Sequence, residues 1–561
     1  MFGIKMQRPG GWKCFSATQA FTVIMLLTSS LLHGFQTTFT GSKACQPCHA
    51  EIYKSYMQTG MATSSGPVGF DSTPATFNNG GFLHERSGYR YRVLRESERL
   101  VLEYRKADRS AEPVRRDMPW FVGSGAKARS YLLDVRGFLF QSPVAWYANT
   151  AKWDLAPGYT RNEQPYLSRP ILPGCLQCHA SGVRHIANTQ NRYAAPPFLE
   201  AGISCERCHG PGSLHIRTVQ LGVAVKGSSI VNPARLDTNR RDSVCAQCHL
   251  SGEVRVPRAG KHNQSFTPGE LLSDYVAVFI RSGAQPGIKV TSHVENLAQS
   301  ACKSGSRDRM SCTTCHDPHA APAASKRASW FRSKCLGCHE TSPCTESAAR
   351  RQERADDCTS CHMPRSPVID AEHVVYTDHS IPRIRVPKGD MPSPDTPLAA
   401  FTGAPAGLRD QGIAYAVAGQ HSRAFELLVK SIDAQSTDSE ALLYLAELYN
   451  RDLDGGRKRN RAAAIPLYER AIRLDPNQLT GYVSLGAIRM EQERYAEAID
   501  LWTIALGKNP ALVLVRFNLA RALVKTGRRA EAEKVLEGAL EFNPAFDPAR
   551  QALEDLRRTG H

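Results

Sequence analysis

The sequence of 561 residues predicts two parts of different fold class. A five-residue pattern, Cys-X-X-Cys-His, occurs seven times between residues 45 and 362. No cysteine follows Cys361, and the last third of the chain instead repeats every 34 residues. We therefore expect residues 37–385 to be mainly α with little regular structure, apart from a small β insertion near residues 85–150. Residues 401–561 are expected to form an all-α solenoid.

The Cys-X-X-Cys-His pattern is the attachment site of a c-type haem. Its two thiols form thioethers with the haem, and its histidine is placed beneath the iron as the proximal ligand. Seven copies are too many for chance or for zinc half-sites, so we predict seven covalently bound haem c groups. The motif cysteines are Cys45, Cys48, Cys175, Cys178, Cys205, Cys208, Cys245, Cys248, Cys312, Cys315, Cys335, Cys338, Cys358 and Cys361. The motif histidines are His49, His179, His209, His249, His316, His339 and His362.

The β insertion lies in the long interval between the first and second motifs. Residues 89–94 and 99–105 alternate in polarity and are rich in β-branched and aromatic side chains, which predicts a hairpin. Residues 130–135 and 138–147 predict a second hairpin around Arg136-Gly137. From Cys175 onward we expect Gly-, Pro- and Ser-rich loops with short helices, because the haems would fill most of the core.

The repeats of the last part match the tetratricopeptide pattern, in which small residues lie where helices cross and a proline ends each second helix. The 34-residue period is kept by Pro476, Pro510 and Pro544, by Ala464, Ala498 and Ala532, and by Ala471, Ala505 and Ala539. An earlier copy is offset by 40 residues, and a loop-like insertion at residues 452–460 absorbs the surplus. Such solenoids offer a concave surface to partners. We predict a protein-docking module.

Two further segments are predicted to be a linker between the two parts and an export signal at the N-terminus. Residues 386–400 are Pro-rich and predict a semi-rigid linker. In residues 1–36, basic residues precede an apolar run of signal-peptide length, too short for a comfortable membrane span. No small-X-small cleavage site follows, so membrane anchoring by an uncleaved segment stays open as the alternative. Both readings predict a periplasmic or exported protein, as this type of haem attachment requires in bacteria.

The formal charge of +17 would ordinarily suggest nucleic acid or an anionic surface as a partner. Each haem carries two propionates, so seven haems would add about fourteen negative charges and bring the protein near neutrality. Buried arginines that pair with propionates would explain much of the basic excess. We therefore predict no nucleic-acid partner.

The second axial ligand of each haem iron distinguishes an electron carrier from an enzyme. An iron with two histidine ligands has no free coordination position, whereas an iron with an open sixth position can bind substrate. The predicted distal ligands are His215, His319, His293, His379, His84 and His185. His262 and His373, each alone in a polar loop, are expected to be solvated, and Met310 and Met363 to be packing residues. Because the firm candidates number fewer than seven, one haem with an exchangeable site remains an alternative.

Three segments resemble the multihaem cytochrome c superfamily, which includes nitrite reductases, hydroxylamine oxidoreductases and a tetrahaem electron carrier. They are residues 205–215, 312–319 and 358–365. The whole chain resembles bacterial multihaem cytochromes with C-terminal tetratricopeptide repeats. The resemblance implies closely stacked haem pairs that form a continuous electron path, with His215 and His319 as distal ligands. No motif has lysine in place of histidine, which puts catalytic nitrite reduction in doubt.

These observations predict an exported heptahaem cytochrome that relays electrons between redox partner proteins, and we lean against an enzyme. The alternative is an oxidoreductase that acts on a small nitrogen or sulfur compound at one haem with an open distal site. In that case the β insertion would supply the pocket. The polar candidates for it are Arg129, Tyr131, Tyr147 and Lys152. Whether Cys302 and Cys344 form a disulfide or stay free is left open by the sequence.

Overall fold

The computed structural model describes residues 38–69, 81–108, 112–159, 167–222, 229–262, 265–283, 287–307, 309–340, 344–383, 393–401, 405–433 and 435–559. The predicted signal peptide or anchor at residues 1–36 and much of the predicted linker lie outside these ranges. Within them, no helix combines the length and the apolar character needed to cross a membrane.

The strands of the described residues form five antiparallel sheets. Nine strands precede the second motif, namely β1 Ser65–Pro67, β2 Gly81–His84, β3 Tyr89–Glu96, β4 Arg99–Lys106, β5 Val114–Asp117, β6 Trp120–Val122, β7 Ala128–Val135, β8 Phe138–Tyr147 and β9 Lys152–Leu155. The others are β10 Ala180–His185, β11 Tyr193–Ala201, β12 Val254–Pro257, β13 Val276–Arg281, β14 Arg365–Pro367, β15 Val375–Thr377 and β16 Leu398–Ala400.

The helices fall into a short-helix part and a repeat part. The first contains α1 Ala50–Tyr56, α2 Pro173–Gln177, α3 Glu206–His209, α4 Ser213–Gln220, α5 Thr238–His249, α6 His293–Ala298, α7 Ala301–Gly305, α8 Cys312–Cys315, α9 Arg327–His339, α10 Ala348–Gln352 and α11 Cys358–His362. The second contains α12 Leu408–Val417, α13 His421–Ser431, α14 Ser439–Tyr449, α15 Arg461–Leu474, α16 Leu479–Glu491, α17 Tyr495–Lys508, α18 Val513–Lys525, α19 Arg529–Phe542 and α20 Asp547–Thr559. Short 3-10 turns lie at Ser42–Ala44, Pro233–Arg235, Leu272–Asp274 and Ala324–Lys326.

Two sheets between the first and second motifs share one core, and we call these two sheets, with their described connections within residues 65–159, the β unit. The four-stranded sheet has the order β2-β3-β4-β5, and the five-stranded sheet has the order β1-β6-β7-β8-β9. Tyr91 and Leu102 of the first sheet are buried in one cluster with Tyr131, Phe140 and Tyr147 of the second. Burial of these large side chains supplies the driving force for packing the two sheets.

Both predicted hairpins of the β unit are confirmed. Strands β3 and β4 pair from Tyr89↔Lys106 to Glu96↔Arg99. Strands β7 and β8 close through Val135↔Phe138, with Arg136 and Gly137 at φ values of 57° and 84°. Positive φ at both central residues is the geometry of the two-residue turn that matches strand twist, and it favours glycine.

The prediction of a mainly α haem-binding part with little regular structure is wrong. Beyond the β unit, three further sheets follow the second, fourth and seventh motifs, with the orders β10-β11, β12-β13-β16 and β14-β15. Residues 254–257 and 276–281 carry the β-branched alternation of strands and bury Val256 and Phe279 in a protein core. Between Ile288 and Val368, by contrast, no apolar side chain of the described residues is buried. The expected shortage of protein core therefore holds for one segment, not for the whole part.

The predicted helical repeats are confirmed. Helices α12 to α19 pack as successive antiparallel hairpins, and the six periodic alanines are fully buried at the crossings. At Gly486 of α16, a Cβ atom would lie 2.5 Å from the indole nitrogen of Trp502, so only glycine allows this close approach. The insertion at residues 452–460 is a loop between α14 and α15.

Both ends of the solenoid are attached to the N-terminal part. At its beginning, β16 adds to the β12-β13 sheet, and Arg258 forms a 2.6 Å ion pair with Asp410 of α12. At its end, Phe542 of α19 is fully buried within the core of the β unit. Arg136 of the β unit pairs with Glu541 at 3.0 Å. The tetratricopeptide repeats are therefore attached to the N-terminal part of the chain at both ends.

Candidate haem-binding centre

Six of the seven motifs lie on or at the end of a helix, namely α2, α3, α5, α8, α9 and α11. A spacing of three residues places both cysteines on one side of a helical turn, as attachment to a single haem requires. Local caps begin two of these helices. The Ser311 side chain caps α8 in a capping box with Thr314, and the Asp357 carboxylate accepts a 2.9 Å hydrogen bond from Thr359 N at the start of α11.

Motifs that are distant in sequence lie side by side. Thiols interact directly between the first and third, second and fourth, fourth and fifth, and sixth and seventh motifs; these pairs are Cys45 with Cys205, Cys178 with Cys248, Cys245 with Cys312, and Cys335 with Cys358. Electrostatic interactions also link Cys208 to Cys245 and Cys315 to Cys338. All seven motifs thus belong to one connected series.

Three motif histidines face a non-motif histidine. The ring centres are 5.9 Å apart for His209 and His319, 5.2 Å for His249 and His293, and 6.2 Å for His316 and His379. A metal–imidazole bond is about 2 Å long, so two imidazoles on opposite sides of one iron have centres about 6 Å apart. The separations of His209 from His319 and of His316 from His379 match this spacing, and that of His249 from His293 is shorter. His293 also lies 4.7 Å from His379.

Several histidines of the predicted ligand set have one ring nitrogen held by a hydrogen bond and the other free to bind a metal. His209 Nδ1 lies 2.8 Å from Val231 O, His379 Nδ1 3.0 Å from Thr377 O, and His362 Nδ1 3.1 Å from Pro382 O. A carbonyl only accepts, so each Nδ1 donates and leaves the Nε2 lone pair for a metal. Burial lowers the pKa of His209, and that of His293 to about 3, which keeps both rings neutral as metal ligands must be.

Buried polar atoms without a hydrogen-bond partner surround the second and fourth motifs. They include His179 Nδ1 and His249 Nδ1, as well as Nε of both Arg207 and Arg255. Positive charge on these two arginines helps to lower the pKa of the Cys178 thiol to about 7, after its larger stabilisation by a hydrogen bond from Cys248. Buried polar groups of this kind are costly unless another group satisfies them.

The segment between Ile288 and Val368 carries the last three motifs and buries no apolar side chain in its described part. No residue of the 13-residue helix α9 is buried. Helices ordered without apolar burial would not offset their conformational entropy. Three haems, each with a large apolar face, would supply the missing core. The residues of this segment therefore fit bound haem, which supplies one-electron chemistry at its iron.

The other predicted distal histidines lie elsewhere. His84 Nδ1 is 2.7 Å from Ser87 Oγ in the β2–β3 connection, His185 packs against Tyr193 with its Nε2 buried and unpartnered, and His215 is half-buried on α4. His262 is exposed, and His373 Nε2 lies 2.7 Å from Asp154. Across the described residues, no ring contact joins a non-motif histidine to His49, His179, His339 or His362.

The four polar candidates for a pocket in the β unit do not converge. Arg129 donates to the carbonyl of Ser124 at 2.9 Å and stacks over Phe121. Tyr147 donates to Leu155 O at 2.6 Å, Tyr131 is buried in the core, and Lys152 is exposed. Cys302 and Cys344 are both free thiols, and Cys302 lies near Cys338.

One residue beside the third motif was not anticipated from the sequence. The Glu206 carboxylate is 2% exposed and accepts hydrogen bonds from Thr40 N at 2.9 Å, Gly41 N at 2.8 Å and Gly212 N at 2.7 Å. It thereby ties the chain before the first motif to the third motif. A charged residue at a variable motif position was the only sequence signal for this role.

Two family matches agree with this division of the chain. The family described as cytochrome c554 and c-prime matches residues 154–210, which contain the second and third motifs. The tetratricopeptide repeat family matches residues 489–556. The chain is a cytochrome-like protein with tetratricopeptide repeats. Its family match indicates haem c binding, and its repeats indicate protein–protein interaction.

Two similar solved structures each cover about a quarter of this cytochrome-like chain. A structure titled "MamA AMB-1 P212121" is 28% identical, covers 27% of this chain and 86% of its own, and has a TM-score of 0.24. YrrB, titled a TPR protein with an unusual peptide-binding site, is 17% identical, covers 26% and 73%, and has a TM-score of 0.23. A comparison with curated proteins finds no match.

Proposed function

We propose that this protein is an exported cytochrome of the multihaem superfamily that binds seven haem c groups and relays single electrons between redox partner proteins. The observation that carries the proposal is the connected series of attachment motifs. The first motif adjoins the third, the third and second adjoin the fourth, and the fourth, fifth, sixth and seventh follow in order. An electron relay needs an uninterrupted series of neighbouring haems, and haems attached to these adjoining motifs would form one.

The roles of the residues follow from their positions. The fourteen motif cysteines hold the haems, and the motif histidines are their proximal ligands. His319, His293 and His379 are proposed as second ligands for the third, fourth and fifth motifs, because each faces the corresponding motif histidine. His215, His185 and His84 remain candidates for the other irons.

The repeats are proposed as the docking module of the relay. Their attachment to the N-terminal part at both ends would hold a docked partner at a constant position relative to the haems. Such preorganisation lowers the entropic cost of each productive encounter. Export would place the protein where these partners and the haem-attachment machinery meet it.

The proposal is tested by counting haems and by electron paramagnetic resonance of the oxidised protein. The intact mass should exceed that of the polypeptide by seven haems. The spectrum should show low-spin signals for the irons of the third, fourth and fifth motifs. A mass increment smaller than seven haems would refute the heptahaem proposal, and the absence of spin coupling or electron exchange among the haems would refute the relay.

A second candidate function is an oxidoreductase for a small nitrogen or sulfur compound. It is favoured by the four motif histidines that, within the described ranges, make no ring contact with a non-motif histidine. Addition of nitrite or hydroxylamine to the oxidised protein separates the two functions. A high-spin signal that shifts on addition supports the enzyme, and an unchanged low-spin spectrum supports the carrier.

A further inference from the structure

A hairpin that follows the seventh motif is built into the core of the β unit. Strands β14 and β15 form this hairpin and pair in antiparallel register over three residues each. Val368 and Val374 lie at the two ends of their connection, and both are buried in one cluster with Tyr131 and Phe140 of the β unit. Val368 N donates a 3.1 Å hydrogen bond to Val374 O. Burial in a shared core attaches the hairpin to the β unit.

Polar and aromatic contacts from the β unit hold the tip of the same hairpin at His373. The His373 Nε2 atom donates a hydrogen bond to the Asp154 carboxylate on β9 at 2.7 Å. The His373 ring meets the Tyr147 ring of β8 edge to face, with the ring centres 5.0 Å apart. Asn149, in the loop between β8 and β9, donates from Nδ2 to His373 O at 3.2 Å. Three neighbouring positions of the β unit therefore converge on one residue of the hairpin.

The segment that leads into α6 is attached at the same place. Ile288 is buried in the core of the β unit, and its carbonyl accepts a 2.9 Å hydrogen bond from Ile369 N. Val290 N donates to Asp370 Oδ1 at 3.0 Å. Both partners belong to the connection between β14 and β15. Because α6 begins at His293, the chain on which this histidine lies starts from the anchored hairpin.

The hairpin also determines the surroundings of two histidine rings. Tyr376 of β15 packs against the core of the β unit, and its ring meets the His293 ring edge to face at 5.4 Å. His379 follows the last residue of β15 by two positions, and its ring lies 4.7 Å from the His293 ring. The hairpin thus holds His293 through the contact with Tyr376 and holds His379 through the chain itself.

We propose that the β14–β15 hairpin, anchored on the β unit, positions His293 and His379 as a pair, with Tyr376 as the positioning residue. This inference rests on the proposed function, in which the two histidines are second ligands of the fourth and fifth haems. An edge-to-face contact fixes the orientation of a ring, and groups that orient a ligand tune the metal it binds. The β unit is then a support for iron ligands, and the ligation of these two haems is coupled.

The test uses the full-length, haem-loaded protein and electron paramagnetic resonance of its oxidised form. H293A and H379A first identify the low-spin signals of the fourth and fifth haems. Y376A removes the ring that contacts His293, and Y376F keeps this ring. Y495A, at a half-buried tyrosine at the start of α17 in the repeats, is the matched control. The intact mass gives the haem count of every variant.

Y376A is expected to shift the g values of both identified signals in a protein that keeps its full haem count. Its other low-spin signals should stay unchanged. Y376F should give the wild-type spectrum, because the ring and not the hydroxyl group makes the contact, and Y495A should do the same. The inference is overturned if Y376A shifts the two signals no more than Y495A does, or if it shifts all signals alike.

D154A is a second variant, which disturbs the anchor without touching either histidine ring. Loss of the carboxylate leaves His373 Nε2 without its 2.7 Å partner, so the same two signals should shift or broaden. D500A, at an exposed position of α17, is the matched control. If Y376A fails to fold or loses haem, D154A decides the question. A D154A spectrum equal to that of D500A overturns the role of the β unit as the support.

Failure of the proposed function gives a different pattern of results. If neither H293A nor H379A changes a low-spin signal, the ligand assignment is wrong, and the inference falls with it. If both change their signals and Y376A does not, only the inference is wrong. A wild-type haem count below seven that includes the fourth and fifth haems refutes the heptahaem proposal and leaves this test intact.

Discussion

At the residue scale, Glu206 shows how a single buried carboxylate can organise distant motifs. Its oxygens accept hydrogen bonds from three backbone N–H groups. Two of these belong to Thr40 and Gly41, ahead of the first motif, and one belongs to Gly212, just after the third motif. Ser42 Oγ supports the same junction by accepting a 3.0 Å hydrogen bond from Cys205 N. Hydrogen bonds to a charged acceptor are stronger than neutral ones.

Glu206→Gln should therefore destabilise the protein. The amide retains only one acceptor oxygen, so at least one buried backbone donor is left unsatisfied, at a cost of about 2 kcal/mol. The free energy of unfolding in denaturant measures this change. Glu98→Gln, in the exposed β3–β4 turn, is the matched control and should change stability by less than about 0.5 kcal/mol. Equal stability of the two variants would contradict the role assigned to Glu206.

His319→Ala tests a proposed second ligand. If His319 and His209 share an iron, the substitution should convert one low-spin ferric signal into a high-spin signal in electron paramagnetic resonance. His262→Ala, which removes an exposed histidine, should leave the spectrum unchanged. A spectrum of His319→Ala that matches the wild type would show that another group ligates the iron of the third motif.

At the element scale, each repeat depends on close helix packing at a small residue. Gly486→Ala should cost about 1–3 kcal/mol, because the added methyl group would overlap the Trp502 indole. Gly507→Ala in α17 meets no atom within 4 Å and should instead stabilise the helix by about 0.5–1 kcal/mol. Thermal unfolding of both variants distinguishes these effects. Destabilisation of similar size in both would contradict overlap with Trp502 as the cause.

Elements with a strong local signal were predictable from the sequence. The two-residue turn at Arg136-Gly137 and the 34-residue period both act over short distances, so the hairpin and the repeats follow directly. The strands β12 and β13 were missed because the expectation of a haem-filled core was applied to all residues after Cys175. Their alternation was readable, and a protein core forms there beside the first repeat.

At the scale of the whole molecule, the solenoid and the β unit are joined by Phe542. Its ring is fully buried, and Arg136 and Arg516 lie over it at 5.6 and 5.1 Å. Phe542→Ala should cost about 3–5 kcal/mol, as for other buried aromatic truncations. Leu514→Ala, at a residue that is 66% exposed, should have little effect.

The same pair of variants tests whether the junction holds the repeats in place. Small-angle scattering of Phe542→Ala should show a larger radius of gyration than the wild type, since the attachment of the repeats to the β unit is weakened. Leu514→Ala should scatter like the wild type. An unchanged radius for a destabilised Phe542→Ala would mean that the other attachments, through β16 and α12 and through Lys508 and Asn509, position the solenoid.

The net positive charge is distributed unevenly between the two parts of the molecule. Residues 401–561 contain 22 Lys and Arg against 21 Asp and Glu, so nearly all of the net charge of +17 lies in the first 400 residues. This is the part that carries the motifs. The division agrees with haem propionates as the compensating anions, and it leaves the repeat surface close to neutral.

The sequence by itself determined the features that depend on spacing: the seven attachment motifs, the hairpins with their turns, and the helical repeats. Spacing of a few residues sets local geometry, and local geometry is independent of distant parts of the chain. Only the tertiary structure decided which motifs adjoin and which histidines face each other. These relations join residues more than one hundred positions apart, such as His209 and His319, and they depend on packing of the whole chain.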